Sequence, residues 1–224
     1  MMFKQLRLIL AVAVLAVLAT GCANRGPAMD YTAYRESHPA SILVLPPVNK
    51  SPDITASYSL LSLVTMPLAE SGYYVVPVAV ADETFKQNGL TTADEIQAVP
   101  VDKLHSIFGA DAGLYITVSQ YGASYRVVDS VVNVEATARL VDLRTGKELW
   151  TGHAFASSAE NQNSSGGGLI GMLVTAVVNQ LINNLSDKSH AIAGITSWRL
   201  LSAGQPNGLL YGPRSPKYGK TATN

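Results

Sequence analysis

The feature that most constrains the fold of this chain is a strict alternation of apolar and polar residues in its second half. Every even-numbered residue in 132–140 is apolar and every odd-numbered one is polar, and residues 114–119 alternate in a similar way. A period of two predicts strands with one buried side and one solvent-facing side. A turn over residues 144–147, with Gly146 at its left-handed position, then leads into a third strand over residues 148–157. The second half of the chain is therefore predicted to form an antiparallel meander.

Before residue 112 the sequence shows short apolar runs and helical periodicity instead. An apolar run at residues 42–45, closed by two prolines, predicts a buried strand, and residues 73–80 predict a second one. A helix is predicted over residues 56–71, with a kink at Pro67 and an end at Gly72, and a short helical turn is predicted to be capped by Asp82 and to end at Gly89. A Thr92–Glu95 capping box predicts the start of a third helix, and residues 102–108, closed by Gly109, predict a fourth. After the meander, two more helices are predicted at about 169–185 and 187–202.

Together these elements predict a single α/β (α+β) domain over residues 41–203. Its mixed sheet has about five strands, from two early βα units followed by the meander, with helices packed on it. The flanking segments are predicted to be a lipoprotein signal peptide (1–21), a flexible lipidated tether (22–40) and a Gly/Pro-rich C-terminal tail (204–224). Two separate cores, or an all-helical body, would contradict this fold class.

The N-terminus has the pattern of a lipoprotein export signal. Lys4 and Arg7 precede an apolar run over residues 8–19, which is too short to span about 30 Å of hydrocarbon as a permanent helix. Cys22, the only cysteine, lies at the expected cleavage site, although Ala19 stands where leucine is usual. We expect cleavage before Cys22, palmitate and further acyl chains on it as the membrane anchor, and no disulfide. An ordinary secretory signal with an incidental cysteine is the alternative.

The next residue and the charge balance bear on location and partners. Ala23 follows Cys22, where an aspartate resembles the inner-membrane retention signal of enteric bacteria, so we expect outer-membrane residence facing the periplasm, with surface exposure as an alternative. The whole chain has no net charge, and without residues 1–21 it carries 14 basic and 16 acidic residues. Since no basic excess exists to attract phosphates, nucleic acid is not an expected partner.

The sequence contains no recognisable arrangement of residues for catalysis. Its histidines, His38, His105, His153 and His190, are scattered, and none has the spacing of a zinc motif. No G-x-S-x-G nucleophile elbow occurs, and Cys22 is assigned to lipidation. We therefore expect no catalytic residues, no metal and no cofactor.

A glycine-rich segment at residues 166–171 formally matches the dinucleotide-binding pattern G-x-G-x-x-G, and Asp187 lies about 20 residues further on. That pattern requires a parallel β-α-β unit with the glycines directly after the first strand. Here the predicted meander is antiparallel, and a polar stretch separates it from the glycines. We interpret the segment as a flexible hinge in front of an apolar helix.

Several blocks of sequence are long enough to be specific. They are YSLLS (58–62), MPLAESGYY (66–74), DETFKQNG (82–89), FGAD (108–111) and LYGPR (210–214). They resemble an uncharacterised family of bacterial lipoproteins typified by a meningococcal surface-antigen lipoprotein. The resemblance implies a fold similar to the N-terminal domain of TolB and to the periplasmic domain of CsgG, and it carries over no catalytic residues.

Two classes of function follow. The first is a non-catalytic accessory or interaction component of an envelope assembly, secretion or transport system, with envelope lipoproteins as partners. The alternative is a lipid-anchored module that binds a small ligand or glycan. An exposed apolar patch favours the first class, whereas a deep pocket lined by tyrosines favours the second. The tyrosines Tyr73, Tyr74, Tyr115, Tyr121 and Tyr125 lie in or beside predicted strands, where they serve either sheet packing or a binding platform.

The predicted helix at 169–185 is a candidate interface, because its apolar residues extend beyond one stripe. The stripe contains Ile170, Leu173, Val174, Val177 and Leu181. Three interpretations remain open: the helix is covered by residues 187–202, it inserts into a membrane, or it contacts another subunit in a homodimer or larger ring.

Overall fold

A mixed sheet with helices on both sides forms the centre of the structure, a computed structural model that describes residues 28–125, 130–160 and 185–220. The helices are α1 (Thr32–Ser37), α2 (Ala56–Leu63), α3 (Thr65–Glu70), α4 (Val78–Gln87), α5 (Ala93–Gln97), α6 (Val101–Phe108) and α7 (Leu185–Leu201). The strands are β1 (Ser41–Val44), β2 (Val48–Asn49), β3 (Tyr74–Val75), β4 (Ala112–Tyr125), β5 (Ser130–Asp142) and β6 (Glu148–Ser157). No helix in these described ranges is long and apolar enough to cross a membrane.

The sheet has the strand order β3-β1-β4-β5-β6, and β2 also pairs with β4. Strand β1 runs parallel to both β3 and β4, whereas β4, β5 and β6 form antiparallel pairs. In the middle of the meander, Leu140 is paired with Leu114 on one side and with Trp150 on the other. The predicted mixed sheet, with early parallel strands and a later antiparallel meander, is confirmed.

One side of the sheet is completely buried. The even-numbered residues Val134, Ala136 and Leu140 of β5 are all 0% exposed. They belong to a core that also contains Trp150 of β6 and apolar residues of α2, α3 and α7. We call this side of strands β4–β6 the covered face.

The other side of the sheet is buried only along its first strands. Helices α4, α5 and α6 pack over β1, β2 and β4 around a second, smaller apolar cluster that includes Leu43, Phe85 and Leu104. Over β5 and β6 this side is solvent-exposed, with Thr137 and Thr151 among its residues. We call this side of strands β4–β6 the open face, and no described helix covers its β5–β6 part.

Helix α7 is buried between the covered face and α2, which explains its small polar residues. Thr196 and Ser197 are fully buried. The Thr196 hydroxyl donates to the carbonyl of Ile192 at 3.0 Å, and the Ser197 hydroxyl donates to the carbonyl of Leu63 at 3.2 Å. The Leu63 carbonyl needs this partner because Pro67, four residues later, has no N–H to donate. The predicted helix at 187–202 is confirmed, and the predicted kink at Pro67 is a break between α2 and α3.

Other local predictions hold as well. Thr92 and Glu95 form both hydrogen bonds of the capping box at the start of α5. Strand β6 has the predicted bounds, 148–157, and the hairpin before it contains Gly146 with φ of 73°. These segments are determined by their own residues, so the local sequence was enough to predict them.

The prediction of a strand over residues 73–80 is wrong in its second half. Strand β3 contains only Tyr74–Val75, and α4 begins at Val78. Pro77 has φ of −54°, a value suited to a helix start, and it lacks the N–H that a continuing strand would use. Asp82 consequently lies inside α4, where it pairs with Lys86 at 2.6 Å, and does not cap the helix.

The predicted boundaries of the folded domain are also wrong, because both flanking segments pack against it. Residues 32–37 of the expected flexible tether form α1, whose Tyr34 is 4% exposed. In the expected C-terminal tail, Leu209 is 1% exposed and the backbone N–H of Gly212 donates to the carbonyl of Ser71. Both segments have the composition of flexible ends, because only a few apolar residues lie among their polar, glycine and proline residues.

Candidate functional site

The predicted lipidation site and the predicted subunit interface lie outside the described residues. This applies to Cys22, to residues 166–171 and to the interface candidates Ile170, Leu173, Val174, Val177 and Leu181. Their roles stay predictions. The functional surfaces available for inspection are therefore those of the folded body.

The histidines are not brought together in the structure. His105 contacts the carbonyl of Ala110 at 2.8 Å, and His190 contacts the hydroxyl of Ser59 at 2.8 Å. In the described ranges, no three residues among His, Cys, Asp and Glu lie close enough to hold a metal ion. Each histidine instead has a local hydrogen-bonding partner.

A polar groove lies on the open face. It has a volume of about 450 Å³ and crosses β4, β5 and β6. Its lining residues are Gln97, Tyr115, Thr117, Thr137, Ala138, Arg139, Thr151, Gly152 and His153. Polar residues line it because the period-two pattern places the odd-numbered residues of β5 and β6 on this side. We call it the meander groove.

Arg139 provides the main positive charge of the meander groove. Its guanidinium lies 4.6 Å from the centre of the Tyr115 ring, a distance that suits a cation–π contact. No carboxylate in the described part of the chain pairs with it. Burial raises the pKa of the Tyr115 hydroxyl, and the nearby guanidinium lowers it by a smaller amount. The groove therefore presents a preoriented cation that has no counter-ion among the described residues.

Glu135 and His153 form a pair at the end of the same groove. The Nε2 atom of His153 lies 2.8 Å from Oε1 of Glu135, and the side-chain amide of Gln120 donates to Oε2 at 2.8 Å. The contact with His153, followed by that with Ser119, holds the pKa of Glu135 below its usual range. Because both carboxylate oxygens are engaged, Glu135 is a structural acceptor in this arrangement.

The outer edge of β6 is partly closed by one side chain. The guanidinium of Arg199 donates to the carbonyl of Phe155 at 2.7 Å and forms a fork-like pair with Glu160, with contacts of 3.1 and 2.7 Å. This arrangement occupies an edge carbonyl that another strand would otherwise use. The Phe155 side chain beside it is 40% exposed on the open face.

A second concave site lies between α1 and the C-terminal segment. It has a volume of about 230 Å³. Its walls are formed by Tyr34, Arg35, His38, Pro39, Tyr73, Leu210, Tyr211, Tyr218, Gly219 and Lys220. We call it the tyrosine cavity, after its four tyrosines.

A short chain of hydrogen bonds forms the floor of the tyrosine cavity. The Tyr73 hydroxyl donates to the carbonyl of Leu210 at 2.6 Å, and it lies 2.6 Å from the hydroxyl of Tyr34. Since the only proton of Tyr73 is directed to Leu210, Tyr34 must be the donor to Tyr73. Burial raises the pKa values of both hydroxyls well above their usual range. Both tyrosines are therefore neutral at physiological pH.

Two carboxylates hold α1 and the start of β1 in place beside the cavity. Asp142, which is 2% exposed, accepts hydrogen bonds from the Ser37 hydroxyl and from the backbone N–H groups of Arg144 and Thr145. Although burial alone would raise the pKa of Asp142, these hydrogen bonds bring it below its usual value. Asp111 similarly accepts from the backbone N–H groups before and within β1, and its pKa is also lowered despite burial.

The tyrosines singled out in the sequence have different positions. Tyr73 lies in the tyrosine cavity and Tyr115 in the meander groove, whereas Tyr121 donates to the Ser59 hydroxyl at 2.7 Å inside the core. Tyr34, Tyr211 and Tyr218 were not predicted from the sequence, because the segments that carry them have the composition of flexible ends. The aromatic residues at positions 31 and 34, one helical turn apart, were an available signal.

Comparison with known proteins agrees with the sequence blocks described above. The family model described as Putative lipoprotein GNA1162-like matches residues 29–214. The chain is 52% identical over 207 residues to Putative lipoprotein NMB1124/NMB1162 of Neisseria meningitidis serogroup B, an alignment that covers 92% of this chain and 95% of that protein.

A solved structure agrees with the same assignment. The crystal structure of lipoprotein GNA1162 from Neisseria meningitidis is 57% identical in sequence and matches with a TM-score of 0.54. That match covers 65% of this chain and 100% of the solved one. The resemblance inferred from the sequence blocks is thereby confirmed. This chain belongs to the GNA1162-like family of putative lipoproteins.

Proposed function

We propose that this chain is a non-catalytic accessory lipoprotein of an envelope assembly, secretion or transport system, which acts by binding a partner protein on its open face. One observation carries the proposal: three strands are sealed by helices on one side, and on the other side they present a groove whose cation, Arg139, forms no ion pair with any described carboxylate. Antiparallel sheets commonly leave one side in water, so the proposal rests on the groove and its cation and not on exposure alone.

The chemistry of the open face suits a protein interface. Arg139 and the half-exposed Phe155 are of the residue types that are enriched at protein interfaces, and arginine is also a frequent hot-spot residue. Thr137 and Thr151 add hydroxyl groups on stiff, β-branched side chains that lose little entropy on binding. These side chains stand on hydrogen-bonded strands, so a partner meets a preorganised surface.

The test is photo-crosslinking in cells that make the full chain. A photoreactive amino acid at Thr137 or Thr151 is expected to capture one envelope protein, and a matched probe at Thr84 on the exposed side of α4 is not. Combining the Thr151 probe with Arg139→Glu is expected to abolish the product, whereas Lys103→Glu, a matched charge reversal on α6, leaves it intact. Equal capture from all three probe positions, or capture that ignores Arg139→Glu, would overturn the proposal.

The anchoring part of the proposal concerns Cys22. Two or three acyl chains on this residue hold the body at the outer membrane permanently, since each buried methylene contributes about 0.8 kcal/mol. Membrane fractionation of the wild type and Cys22→Ser tests it. Release of the variant into the periplasm is the expected result, and retention of the variant after a high-salt wash would show that something other than lipid holds the protein.

We also propose that residues 169–185 mediate self-association into a homodimer or larger ring. Sedimentation of the mature chain with Cys22→Ser, alongside the same chain with Leu173→Asp or Val177→Asp, tests this. A concentration-dependent assembly that the two substitutions abolish, without loss of folded structure, is expected. Unchanged monomers at all micromolar concentrations would end the idea, and unfolding of both variants would assign these positions to the core.

The alternative function, a lipid-anchored module for a small ligand, is favoured by the tyrosine cavity. Enclosed pockets with aromatic walls and a few polar groups are typical of ligand sites. The two functions use separate surfaces, because the tyrosine cavity and the meander groove share no lining residue. Each is therefore testable without disturbing the other.

A further inference from the structure

We propose that the tyrosine cavity binds a phosphate ester with a small polar alcohol, the chemistry of the glycerophosphate headgroup of an anionic phospholipid. The inference begins with the rim of the cavity, which is cationic. Arg35 and Lys220 line it, and the ammonium group of Lys217 lies 5.4 Å from the ring centre of Tyr211, another wall residue. Residues 204–220 contain three basic residues and no acidic one.

The nearest carboxylates neutralise this rim only in part: Asp30 attracts Arg35 electrostatically but forms no ion pair with it. On α1 and just before it, Asp30 is held by the backbone N–H and the hydroxyl of Thr32, and Glu36 pairs with Lys147 at 3.5 Å. No carboxylate in the described ranges forms an ion pair with Arg35, Lys217 or Lys220. A ligand that complements the rim must therefore be an anion.

The interior of the cavity selects against a bare anion. Its floor is made of tyrosine rings and of hydroxyl groups that are already hydrogen-bonded to each other and to the Leu210 carbonyl. Tyr218 closes one side through a contact of 3.0 Å between its hydroxyl and Nδ1 of His38. Aromatic faces pack against carbon atoms, so the ligand should carry a small carbon skeleton besides its charged group.

The volume limits the size of that skeleton. At about 230 Å³ the cavity holds the equivalent of roughly eight water molecules. A phosphate ester of glycerol is of this size, whereas a complete lipid with its acyl chains is far too large. The acyl chains of a bound lipid would have to remain in the membrane.

The position of the cavity favours a membrane lipid as the source of the phosphate ester, and this step alone rests on the proposed anchor at Cys22. The described chain starts beside the cavity: the Met29 N–H donates to the side chain of Asn207, and α1 follows three residues later. Met29 is seven positions after Cys22, which gives a reach of at most about 25 Å. The wall that contains Arg35 is therefore held within a short distance of the bilayer surface.

The experiment uses the mature chain with Cys22→Ser, so that no acyl chain contributes to binding. Sedimentation with vesicles of phosphatidylcholine is compared with vesicles that also contain phosphatidylglycerol, and glycerol 1-phosphate is titrated separately by calorimetry. We expect binding of the phosphatidylglycerol vesicles, weakened about fivefold by Arg35→Gln or by Lys220→Gln. Lys103→Gln, which removes an exposed cation on α6, is expected to have no effect.

A charge-neutral substitution distinguishes a cavity from a basic surface. Tyr218→Ala removes an exposed wall residue without changing charge and is expected to weaken binding of either probe, with folding checked by circular dichroism. Binding of glycerol 1-phosphate without vesicle binding would support the site and assign it to a free phosphate ester. Binding of neither probe, an undiminished affinity in Tyr218→Ala, or an equal loss in Lys103→Gln would overturn the proposal. None of these results depends on crosslinking at the open face.

Discussion

The covered face and the open face of strands β4–β6 come from the same residues of the chain, taken alternately. On β5, Leu140 is fully buried under helices, while its neighbour Arg139 is exposed in the meander groove. Successive side chains of a β-strand point to opposite sides of the sheet, so these two neighbours lie on different faces. Stability and recognition are therefore assigned to different residues of one strand, and each can be altered with little effect on the other.

The two faces also treat polar groups differently. On the covered side, the buried hydroxyls of Thr196 and Ser197 are both satisfied inside the protein, by the carbonyls of Ile192 and Leu63. On the open side, Arg139 has an aromatic partner but no counter-ion in the described part of the chain. A buried polar group without a partner is costly, whereas an exposed one keeps its water until a ligand arrives. Of the two faces of these strands, the open face is therefore the one that can bind a partner without unfolding of the core.

The largest expected difference between the faces is that between Leu140→Ala and Arg139→Ala. Truncation of Leu140, 0% exposed, removes core contacts and leaves a cavity, so the free energy of unfolding should fall by about 2–5 kcal/mol. Truncation of Arg139 loses only an exposed cation–π contact, worth below about 1 kcal/mol. Urea denaturation of both variants measures this. Similar losses would mean that the open face is buried in the intact protein.

Overpacking tests the covered face from the opposite direction. A methyl group at Gly152 would collide with the indole ring of Trp150, so Gly152→Ala should destabilise the protein by about 1–3 kcal/mol.

Gly194→Ala is the matched control, because the added methyl group meets only Leu63, at 3.9 Å, within helix α7. It should stabilise the protein by about 0.5–1 kcal/mol, since alanine is the better helix former. Thermal unfolding of both variants measures whether each substitution lowers or raises the stability. A destabilised Gly194→Ala would mean that α7 packs too closely against Leu63 to accept a methyl group.

Much of this two-sided sheet could be predicted from sequence, because it depends on local patterns. Alternation in residues 132–140 was enough to locate β5 and to say which residues face the core. Sequence did not reveal that α4–α6 cover only the first strands of the other side. That outcome depends on where the helices of the first half pack against the sheet. Hydrophobic periodicity and secondary-structure propensity do not determine this position.

The tyrosine cavity could not be predicted for a similar reason. Its walls come from residues 34–39, from Tyr73 just before β3 and from the C-terminal segment, which are distant in the chain, and the first and last of these have the composition of flexible ends. The packing of the C-terminal segment depends on the backbone of Gly72, which has φ of 96° and leaves no room for a Cβ beside Gly212. Such a close approach is visible only once both segments are placed.

Two carboxylates of β5, one on each face, allow the pH dependence of stability to be compared between the two faces. Buried Asp142 has a lowered pKa, so its contribution to stability is complete above the ordinary pKa of about 4 and is lost as the pH falls through the lower folded value. Asp142→Asn should cost about 1.5–3 kcal/mol at pH 7 and make stability less sensitive to acid. Asp111, whose pKa is also lowered, retains part of that sensitivity.

Glu135→Gln, on the open face, is the matched change. Its carboxylate also has a lowered pKa, through His153 first, but water screens the pair, so the loss should stay below about 1 kcal/mol. Denaturation curves between pH 2 and pH 7 (roughly the range in which carboxylates titrate) compare the two variants. A larger acid effect for Glu135→Gln than for Asp142→Asn would reverse the assignment of stability to the buried end of β5.

The smallest expected effect is that of Thr137→Val on the open face, and Val134→Thr is the reverse exchange on the covered face. Threonine and valine have nearly the same shape, so the exchange changes a hydroxyl for a methyl group and little else. Thr137→Val, on the open face, should change the free energy of unfolding by no more than about 0.5 kcal/mol. Val134→Thr, at a site 0% exposed, should cost about 1–3 kcal/mol because a hydroxyl is buried without a planned partner. If Thr137→Val also proved costly, its hydroxyl would have to be engaged by a group outside the described residues, and the groove would then belong to a contact that the protein forms with itself.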